Sequence, residues 1–147
     1  MFKKRIKYVD FNGSPREEDF YFHMSPVEMT RLEAKIGGLT LDTYTQKLVA
    51  NQDLSEMVSF IEDLVLSSYG EKSQDGTRFI KGQKIREKFE YSQAYAELFE
   101  ELLTNPEAAK KFSAGIGKQT SQLLKKRKKH ESDSNLEVLD ADYEEEE

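Results

Sequence analysis

Residues 53–70 read DLSEMVSFIEDLVLSSYG and carry the most apolar helical pattern in the chain. Asp53 is a natural N-cap, and Glu56 three positions later completes a pair typical of a capping box. The apolar side chains that follow recur at helical spacing and form one broad stripe: Leu54, Met57, Val58, Ile61, Leu64 and Val65. Glycine disfavours helix, so Gly70 is expected to end the segment. The pattern predicts a helix at the centre of the core.

The first 24 residues contain two runs in which apolar and polar side chains alternate, as they do in strands. The apolar members are Ile6 and Tyr8 in the first run and Phe20, Phe22 and Met24 in the second. Between the runs, residues 12–15 read Asn-Gly-Ser-Pro, which is typical of a turn. The sequence therefore predicts a β-hairpin over residues 1–24. Two strands alone are marginally stable, so this hairpin must pack on the rest of the chain.

Capping residues and helix breakers mark further short helices. Their predicted bounds are Pro26 to Ile36 after the N-cap Ser25, Leu41 to Asn51, Gln83 to Glu90, Ser92 to Thr104, and Pro106 to Ala114. Residues 71–76 are polar and rich in turn formers, which predicts a loop. The predicted fold class is α+β and mainly α, with an N-terminal β-hairpin followed by a small bundle of five to six short helices and a disordered charged C-terminal tail.

The predicted tail differs in composition from the rest of the chain. It holds few apolar residues, a basic block at Lys125–Lys129 and an acidic end at Glu144–Glu147. Blocks of like charge repel internally and cannot bury enough apolar surface to offset the loss of chain entropy. A chain of 147 residues with 37% hydrophobic content can bury one modest core. We therefore expect a single helical domain over residues 1–117 and a disordered tail over 118–147.

Charge and cysteine content exclude several classes of protein. The net charge of -6 argues against nucleic acid and anionic membranes as partners. The chain has no cysteine, which excludes disulfides, thiolate metal sites and a cysteine nucleophile. Residues 1–5 read MFKKR and start like a signal peptide, but residues 6–10 add only three apolar side chains. No apolar run approaches the roughly 18 residues needed to span a bilayer. The expected location is the cytoplasm.

Few side chains suit catalysis or cofactor binding. His23 and His130 are the only histidines, and they fall in a predicted strand and in the predicted tail. Residues 73–76, Ser-Gln-Asp-Gly, lack the ligand alternation and the bidentate glutamate of a calcium loop, so a turn is the better interpretation. Residues 115–117, Gly-Ile-Gly, lack the strand and the further residues of a phosphate-binding loop. We expect no enzyme, no cofactor and no catalytic or metal-binding residue.

Large apolar side chains in the second half of the chain are candidates for partner binding: Tyr69, Phe79, Ile80, Phe89, Tyr95, Phe99 and Phe112. A place in the core fits each of them. A chain of this size nevertheless cannot readily hide all of them, so some are expected to line an exposed groove for a partner segment. Phe79 and Ile80 lie next to the polar loop and are the first choice for exposure.

Four segments in fixed order resemble a known family. They are SYG at 68–70, DGTRFIKG at 75–82, IREKFEYSQAYAELFEELL at 85–103 and NPEAAKKFSAGI at 105–116. In this order they resemble the tail assembly chaperones of tailed bacteriophages, especially those from hosts of the Gram-positive type. The tail after residue 117 is where the sequence departs most from that resemblance.

The resemblance implies a function in tail morphogenesis. Proteins of this kind are implied to bind the tape measure protein and keep it soluble, to recruit tail tube subunits, and to be absent from the mature virion. It also implies action in the host cytoplasm and allows self-association. A longer product made by ribosomal frameshifting is a further expectation, for which Lys125–Lys129 is the candidate region because lysine codons are A-rich.

Two other functions remain open from the sequence. The alternative is a minor structural tail or head-tail joining protein that is retained in the virion. A nucleic-acid-binding regulator acting through Lys125–Lys129 is the third interpretation, and it predicts binding that salt weakens steeply.

Overall fold

The computed structural model describes residues 1–116, which form four strands and six helices. In chain order these are β1 (Phe2–Val9), β2 (Pro15–Phe22), α1 (Pro26–Lys35), α2 (Leu41–Asn51), α3 (Leu54–Ser68), β3 (Tyr69–Lys72), β4 (Phe79–Ile80), α4 (Gln83–Glu90), α5 (Gln93–Thr104) and α6 (106–116). The predicted fold class, mainly α with an N-terminal hairpin and five to six short helices, is confirmed. The tail expected over residues 118–147 lies outside the described residues.

Strands β1 and β2 form the predicted hairpin and pair in antiparallel register along their whole length. Asp10 holds the turn, because its Oδ1 accepts hydrogen bonds from the backbone N–H groups of Asn12 and Ser14, both at 2.9 Å. Gly13 has a φ of +81°, a left-handed conformation that glycine adopts without steric cost. The Asn-Gly-Ser sequence therefore makes the turn that its composition predicts.

One face of the hairpin packs on helices α5 and α6, as the marginal stability of two isolated strands requires. Ile6 is buried on that face, and the ring of Phe2 meets the ring of Phe112 edge-on with 5.3 Å between centroids. The other face is charged, and Arg5 pairs with Glu17 across the strands at 2.8 Å. Alternation in the sequence thus gives the hairpin one buried and one solvated face.

Side chains cap the helix N-termini as the sequence signals predict. Ser25 and Glu28 each accept a hydrogen bond from the other's backbone N–H, so α1 begins with a capping box. Asp53 caps α3 and Ser92 caps α5.

Leu54 differs from its predicted place in the apolar stripe. It is 62% exposed, because the first turn of α3 extends beyond the core.

Helix α3 contacts both α2 and α5 and supplies the centre of the core, as its apolar pattern predicts. Ile61, Leu64 and Val65 are buried together with Phe60, which the predicted stripe does not include. Ser68 is also buried, and its hydroxyl donates to the carbonyl oxygen of Leu64 at 2.6 Å. The one polar side chain on the buried face of α3 is therefore satisfied within its own helix.

A second hairpin, β3–β4, is absent from the sequence prediction. The chain passes directly from α3 into β3, which pairs with β2 at Phe22↔Tyr69 and Tyr21↔Gly70. Strand β4 pairs with β3 and completes a sheet of order β1-β2-β3-β4. The loop predicted over residues 71–76 is wrong at its start, since residues 71 and 72 belong to β3. Strands of four and two residues are too short to show the alternation on which strand prediction depends.

Gly70 has a different function from the helix stop that the sequence predicts. A Cβ atom at this position would lie 2.6 Å from the Phe79 ring and 2.8 Å from the carbonyl oxygen of Ile80. Glycine therefore allows β4 to approach β3 closely. Helix α3 ends because Tyr69 enters the sheet.

Helix α6 also extends beyond its predicted end at Ala114. It continues through Gly115 to residue 116, and Ile116 is buried. Gly115 faces the ring of Phe2, and a Cβ atom there would overlap that ring. The glycine that weakens the helix locally therefore lets α6 pack against β1.

Replacing Gly115 by alanine tests this packing. Alanine in a helix interior is ordinarily favoured over glycine by about 1 kcal/mol, but here the methyl group collides with Phe2. We expect Gly115→Ala to lower the free energy of unfolding by about 1–3 kcal/mol, as overpacking does, measured by urea denaturation. In a Phe2→Ala background the same substitution should be neutral or stabilising. Stabilisation by Gly115→Ala in the otherwise unaltered chain would contradict the packing described.

An ion pair ties helix α1 to the segment between β4 and α4. Lys81 Nζ donates to Glu28 Oε2 at 2.6 Å and to the carbonyl oxygen of Ser67 at 2.8 Å. Partial burial raises the pKa of Glu28, but hydrogen bonds from Lys81 and from the Ser25 backbone outweigh it, and the net effect lowers the pKa. Burial lowers the pKa of Lys81, and Glu28 offsets part of that effect. The capping glutamate of α1 thus also anchors the second hairpin.

The lowered pKa of Glu28 predicts a pH dependence of stability. Its contribution to the free energy of unfolding is present above the ordinary pKa of 4.5 and is lost as the pH falls through the folded-state pKa. We expect Glu28→Gln to lower stability at neutral pH and to make the loss of stability below about pH 5 less steep. Urea denaturation across a pH series measures both. Glu97→Gln is the control, because Glu97 is exposed and forms no ion pair within residues 1–116; equal slopes for the two variants would refute the prediction.

Candidate partner-binding surfaces

Three of the seven side chains predicted to bind a partner are buried in the core. Tyr69, Phe89 and Phe112 are each less than one tenth exposed. They belong to an aromatic cluster that joins the sheet to helices α4, α5 and α6 and that consists of Phe2, Phe20, Phe22, Tyr69, Phe89, Tyr95, Phe99 and Phe112. In this conformation Tyr69 stacks on Phe89, and Phe112 contacts Phe2 and Phe22. Partner binding by these three side chains stays a prediction.

Phe89 lies at the centre of the aromatic cluster. Its ring stacks on Tyr69 with 4.2 Å between centroids and an interplanar angle of 14°. The rings of Phe20 and Phe22 lie 5.1 and 5.9 Å from it, and the ring of Tyr95 lies 5.6 Å from it. Burial raises the pKa of Tyr69 and that of Tyr95 to about 12, and both phenols are neutral at physiological pH. The cluster is a structural unit without an ionised group.

The other four predicted residues reach the surface to different extents. Tyr95 and Phe99 are half-buried at the margin of the cluster, with 6.0 Å between their ring centroids. Phe79 is half-buried against the ring of His23, at 5.6 Å. Ile80 is 38% exposed. Of the two side chains chosen first for exposure, Ile80 is exposed and Phe79 is only partly so.

A cleft between helices α2, α3, α5 and α6 offers an apolar surface, which we call the apolar cleft. Its lining is Thr45, Leu48, Val49, Met57, Phe60, Ile61, Leu64, Leu102, Ala109 and Phe112. The hydroxyl of Thr45 is satisfied by the carbonyl oxygen of Leu41 at 2.7 Å. Val49 and Met57 are half-buried and form part of the surface of the cleft. Its internal volume is about 20 Å³. The cleft can therefore bury apolar atoms but offers almost no polar contact.

Two exposed apolar side chains lie at the tip of the N-terminal hairpin, and the sequence prediction omits them. Phe11 is 77% exposed and Val9 is 54% exposed. Arg16 Nε donates to Asp10 Oδ2 at 2.6 Å in addition to the hydrogen bonds of the turn. The sequence contains a signal for the exposure of Phe11. Phe11 directly precedes the Asn-Gly turn, and a side chain in a turn has no strand or helix opposite it.

A local concentration of positive charge covers β4 and α4, although the chain is acidic overall. Residues 78–88 contain five lysines or arginines and one glutamate. We call the exposed Arg78, Lys84, Arg86 and Lys88 the basic patch. Lys88 lies 3.8 Å from Glu71, and the other three form no ion pair within residues 1–116. Ile80 is exposed within the same stretch of sequence.

Two of the segments considered for metal or phosphate binding form local structure in the described part of the chain. Asp75 accepts hydrogen bonds from Ser73 Oγ at 2.6 Å and Thr77 Oγ1 at 2.8 Å, which makes the predicted turn. Together with a bond from the Thr77 backbone, these lower the pKa of Asp75 to about 2. Residues 115 and 116 lie in a helix.

Residues 1–116 contain neither a cluster of metal-ligating side chains nor a membrane-spanning helix. No group of three or more histidine, cysteine, aspartate or glutamate side chains in this range converges to hold a metal ion. No helix in the range combines the length and the apolar character needed to cross a bilayer.

Comparison with known proteins gives one match. Residues 1–146 match a protein family described as phage tail assembly chaperone. Comparisons with curated proteins and with solved structures found none. The family match covers the hairpin, all six helices and nearly all of the residues beyond them. The chain therefore belongs to the phage tail assembly chaperone family.

Proposed function

We propose that this protein binds the phage tape measure protein, keeps it soluble, recruits tail tube subunits to it, and leaves before the virion is complete. The family match over residues 1–146 is the observation that carries the proposal. In this proposal the protein acts in the host cytoplasm, and it acts by binding and not by catalysis. These finer statements go beyond family membership, and each requires its own test.

The chemistry of the expected client fits a binding function. A tape measure protein is a long helical molecule, and the apolar stripes of such helices aggregate when nothing covers them. An amphipathic helix is recognised by a surface that accepts apolar side chains spaced along one of its faces. Nine of the ten residues that line the apolar cleft are apolar, and three of these, Val49, Met57 and Ala109, are half-buried and form the part of the cleft that a client side chain can contact. We place the client contact there, with an apolar client side chain between Val49 and Met57.

The aromatic cluster is a poorer client surface than the apolar cleft. Opening it would expose Phe89 and Tyr69 and would detach the sheet from the helices. Replacing a buried phenylalanine by alanine typically costs about 3–5 kcal/mol, which is a large part of the stability of a small domain. A client can reach Val49 and Met57 without that cost because both side chains are already partly exposed.

Co-expression with the tape measure protein tests the proposal. We expect the tape measure protein to become soluble and to co-purify with this chain. Val49→Asp or Met57→Asp should weaken retention about tenfold, equivalent to about 1.4 kcal/mol, because a carboxylate would be desolvated against an apolar client helix. Retention is measured by pull-down at a series of concentrations, with thermal midpoints checked for every variant. A tape measure protein that stays insoluble and unbound would overturn the proposed function.

Two control variants locate the contact. Val27→Asp changes an exposed valine on α1 outside the apolar cleft and should leave retention unchanged. Ile80→Asp tests the β4 surface that the sequence favours. Weakening by Ile80→Asp alone would move the client contact from the cleft to β4 while leaving the chaperone function intact.

The release of the protein before completion of the virion is a separate prediction. We expect purified virions to lack this chain by mass spectrometry, whereas infected-cell lysate contains it together with tape measure protein. The reason is that tube subunits would replace the chaperone on the tape measure protein, which would free the chaperone. Detection of the chain in purified virions at the level of a tail component would favour the minor structural tail or head-tail joining protein.

A frameshifted longer product is proposed on the same basis. Lys125–Lys129 are encoded by codons that can form an A-rich slip site. The nucleotide sequence decides the question: the proposal fails if it contains neither a slip site nor an overlapping downstream frame.

A further inference from the structure

We infer that the edge of β2 opposite β1 binds a single extended segment of a tail tube subunit, which adds to β2 as a further strand. The inference deepens the proposed function and rests on it for the identity of the partner. The apolar cleft takes a helix, whereas this edge takes a strand. The two places share no lining residue, so both partners of the proposed function can bind at once.

Strand β2 extends well beyond its pairing with β3. It pairs with β1 over all eight of its residues, but it pairs with β3 only at Tyr21 and Phe22. From Glu71 onward, β3 pairs with β4 and no longer with β2. In the part of the chain that the structure describes, residues 15–20 therefore have no strand beside them on the side opposite β1. We call this stretch the open edge of β2.

The hydrogen-bond register shows which backbone groups face the open edge. Successive residues of an antiparallel strand direct their N–H and C=O groups to opposite sides. The N–H of Asp10 donates to the carbonyl oxygen of Ser14 at 3.0 Å, so the even-numbered residues of β2 face β1. In agreement, the N–H of His23 donates to the carbonyl oxygen of Ser68 at 2.8 Å, on the side of β3. The backbone groups of Asp19 therefore face the open edge.

The same rule applies to β3. The N–H of Ser73 donates to the carbonyl oxygen of Arg78 at 2.9 Å, so the odd-numbered residues of β3 face β4. Lys72 lies between two of them and directs its backbone groups toward β2. The β2–β3 register ends at Tyr21, and Asp19 and Lys72 lie beyond that end. The two strands thus form a fork with backbone groups on both sides.

A cavity occupies this fork. Its volume is about 400 Å³, within the range of about 300–1,000 Å³ that is usual for binding sites. Residues 18–21 of β2 and residues 69–72 of β3 form two of its walls, and Lys88 and Phe89 of α4 form a third. The wall from α4 favours a lone strand over the edge of a second sheet. An extended peptide adds to a strand edge through backbone hydrogen bonds, with side chains giving specificity.

Phe20 provides an apolar surface inside the cavity. Its side chain is half-buried, and its ring lies 5.1 Å from the ring of Phe89 and 6.3 Å from that of Tyr69. Side chains of an extended segment alternate between its two faces. The segment therefore places an apolar side chain against Phe20 and turns the next one away from it.

The charges that line the cavity are already paired. Each of its three carboxylates has a cation within 4 Å: Glu18 has Arg16 at 3.6 Å, Asp19 has Arg5 at 3.2 Å, and Glu71 has Lys88 at 3.8 Å. The cavity therefore does not select its occupant by charge. Backbone hydrogen bonds and the apolar contact with Phe20 select it instead.

The need for an extended segment assigns the site to one of the two partners. A tape measure protein is a long helical molecule, and the backbone groups of a helix are hydrogen-bonded within the helix. Such a client cannot pair with the backbone of Asp19. The tail tube subunit is the other partner in the proposed function, so we assign the strand to it.

Amide hydrogen exchange in the full-length chain alone tests whether the edge is open. After correction for intrinsic rates, we expect the N–H of Asp19 to exchange at least about tenfold faster than that of Phe20, which faces β1. Equal protection of the two N–H groups would overturn the inference. Protection of Asp19 that disappears on dilution would assign the edge to a second copy and would also overturn it.

Overlapping peptides test the binding. The probes are peptides of about 12 residues, longer than a typical strand, that cover the tail tube protein and, as a second set, the tape measure protein. We expect a tube peptide to bind and to slow exchange at Asp19. Its affinity should change less than about threefold between 0.1 and 1 M salt, because the charges of the site are paired. Binding by tape measure peptides only, or by no peptide, refutes the assignment.

Two substitutions at one position separate backbone pairing from charge. Asp19→Pro removes the N–H that faces the open edge and leaves the N–H groups that bond to β1. We expect it to weaken peptide binding about tenfold, equivalent to about 1.4 kcal/mol, because a peptide carbonyl loses its donor. Asp19→Ala removes the same carboxylate but keeps the N–H, and it should bind normally. Equal weakening by both variants would exclude strand addition.

A measurement from the partner's side covers the case in which Asp19→Pro disturbs the fold. N-methylation of the tube peptide at one residue after another should abolish binding at alternate positions, because only every second N–H of an added strand faces β2. Loss of binding at no position, or without alternation, would overturn the inference.

The inference and the proposed function fail separately. If co-expression makes the tape measure protein soluble but no tube peptide binds, the chaperone function stands and strand addition is wrong. If a tube peptide binds but the tape measure protein stays insoluble and unbound, the strand site stands and the proposed handling of the tape measure protein is wrong.

Discussion

The stacking of Phe89 on Tyr69 is the contact on which the architecture depends. Tyr69 begins β3, Phe89 lies near the end of α4, and Phe20 and Phe22 bring in β2 from the N-terminal hairpin. Aromatic pairs of this kind contribute roughly 0.5–1.5 kcal/mol beyond the area that they bury. Neither hairpin could persist alone, since two strands need a surface to pack on. One cluster of rings supplies that surface to both, which is why the sheet has four strands from distant parts of the sequence.

This arrangement leaves the rings of the aromatic cluster little surface for partners. The rings of the cluster hold the sheet against the helices, and the exposed large apolar side chains are dispersed over the described surface. They are Met1, Val9, Phe11, Val27, Leu54, Ile80 and Tyr91. A chaperone for a long client does not need one deep pocket, because repeated shallow contacts along the client add through effective concentration. Shallow contacts also release readily, which suits the release that we propose for this protein. The small size of the cleft is thus compatible with a transient binding function.

Local signals in the sequence predict most of the elements. The caps at Ser25, Asp53 and Ser92 and the Asn-Gly turn each involve residues within a few positions of one another, so composition and spacing suffice. The β3–β4 hairpin depends on the pairing of Tyr69 with Phe22, 47 positions apart in sequence, and no local pattern encodes it. Helical spacing likewise shows that Phe89 and Phe112 share apolar faces but not what lies opposite those faces. The sequence could therefore identify candidates for partner binding and could not separate core from surface among them.

Average charge conceals the distribution that matters for function. A net charge of -6 predicts repulsion from anionic partners, yet the cations between Arg78 and Lys88 present a locally positive surface. Exposed charges farther apart than about 8–10 Å are largely screened at physiological salt, so a partner at α4 experiences the patch and not the average. The many acidic residues elsewhere then favour solubility and discourage non-specific association between copies. Both properties agree with the proposed function of keeping an aggregation-prone client in solution, because the client complex would inherit the surface charge of its chaperone.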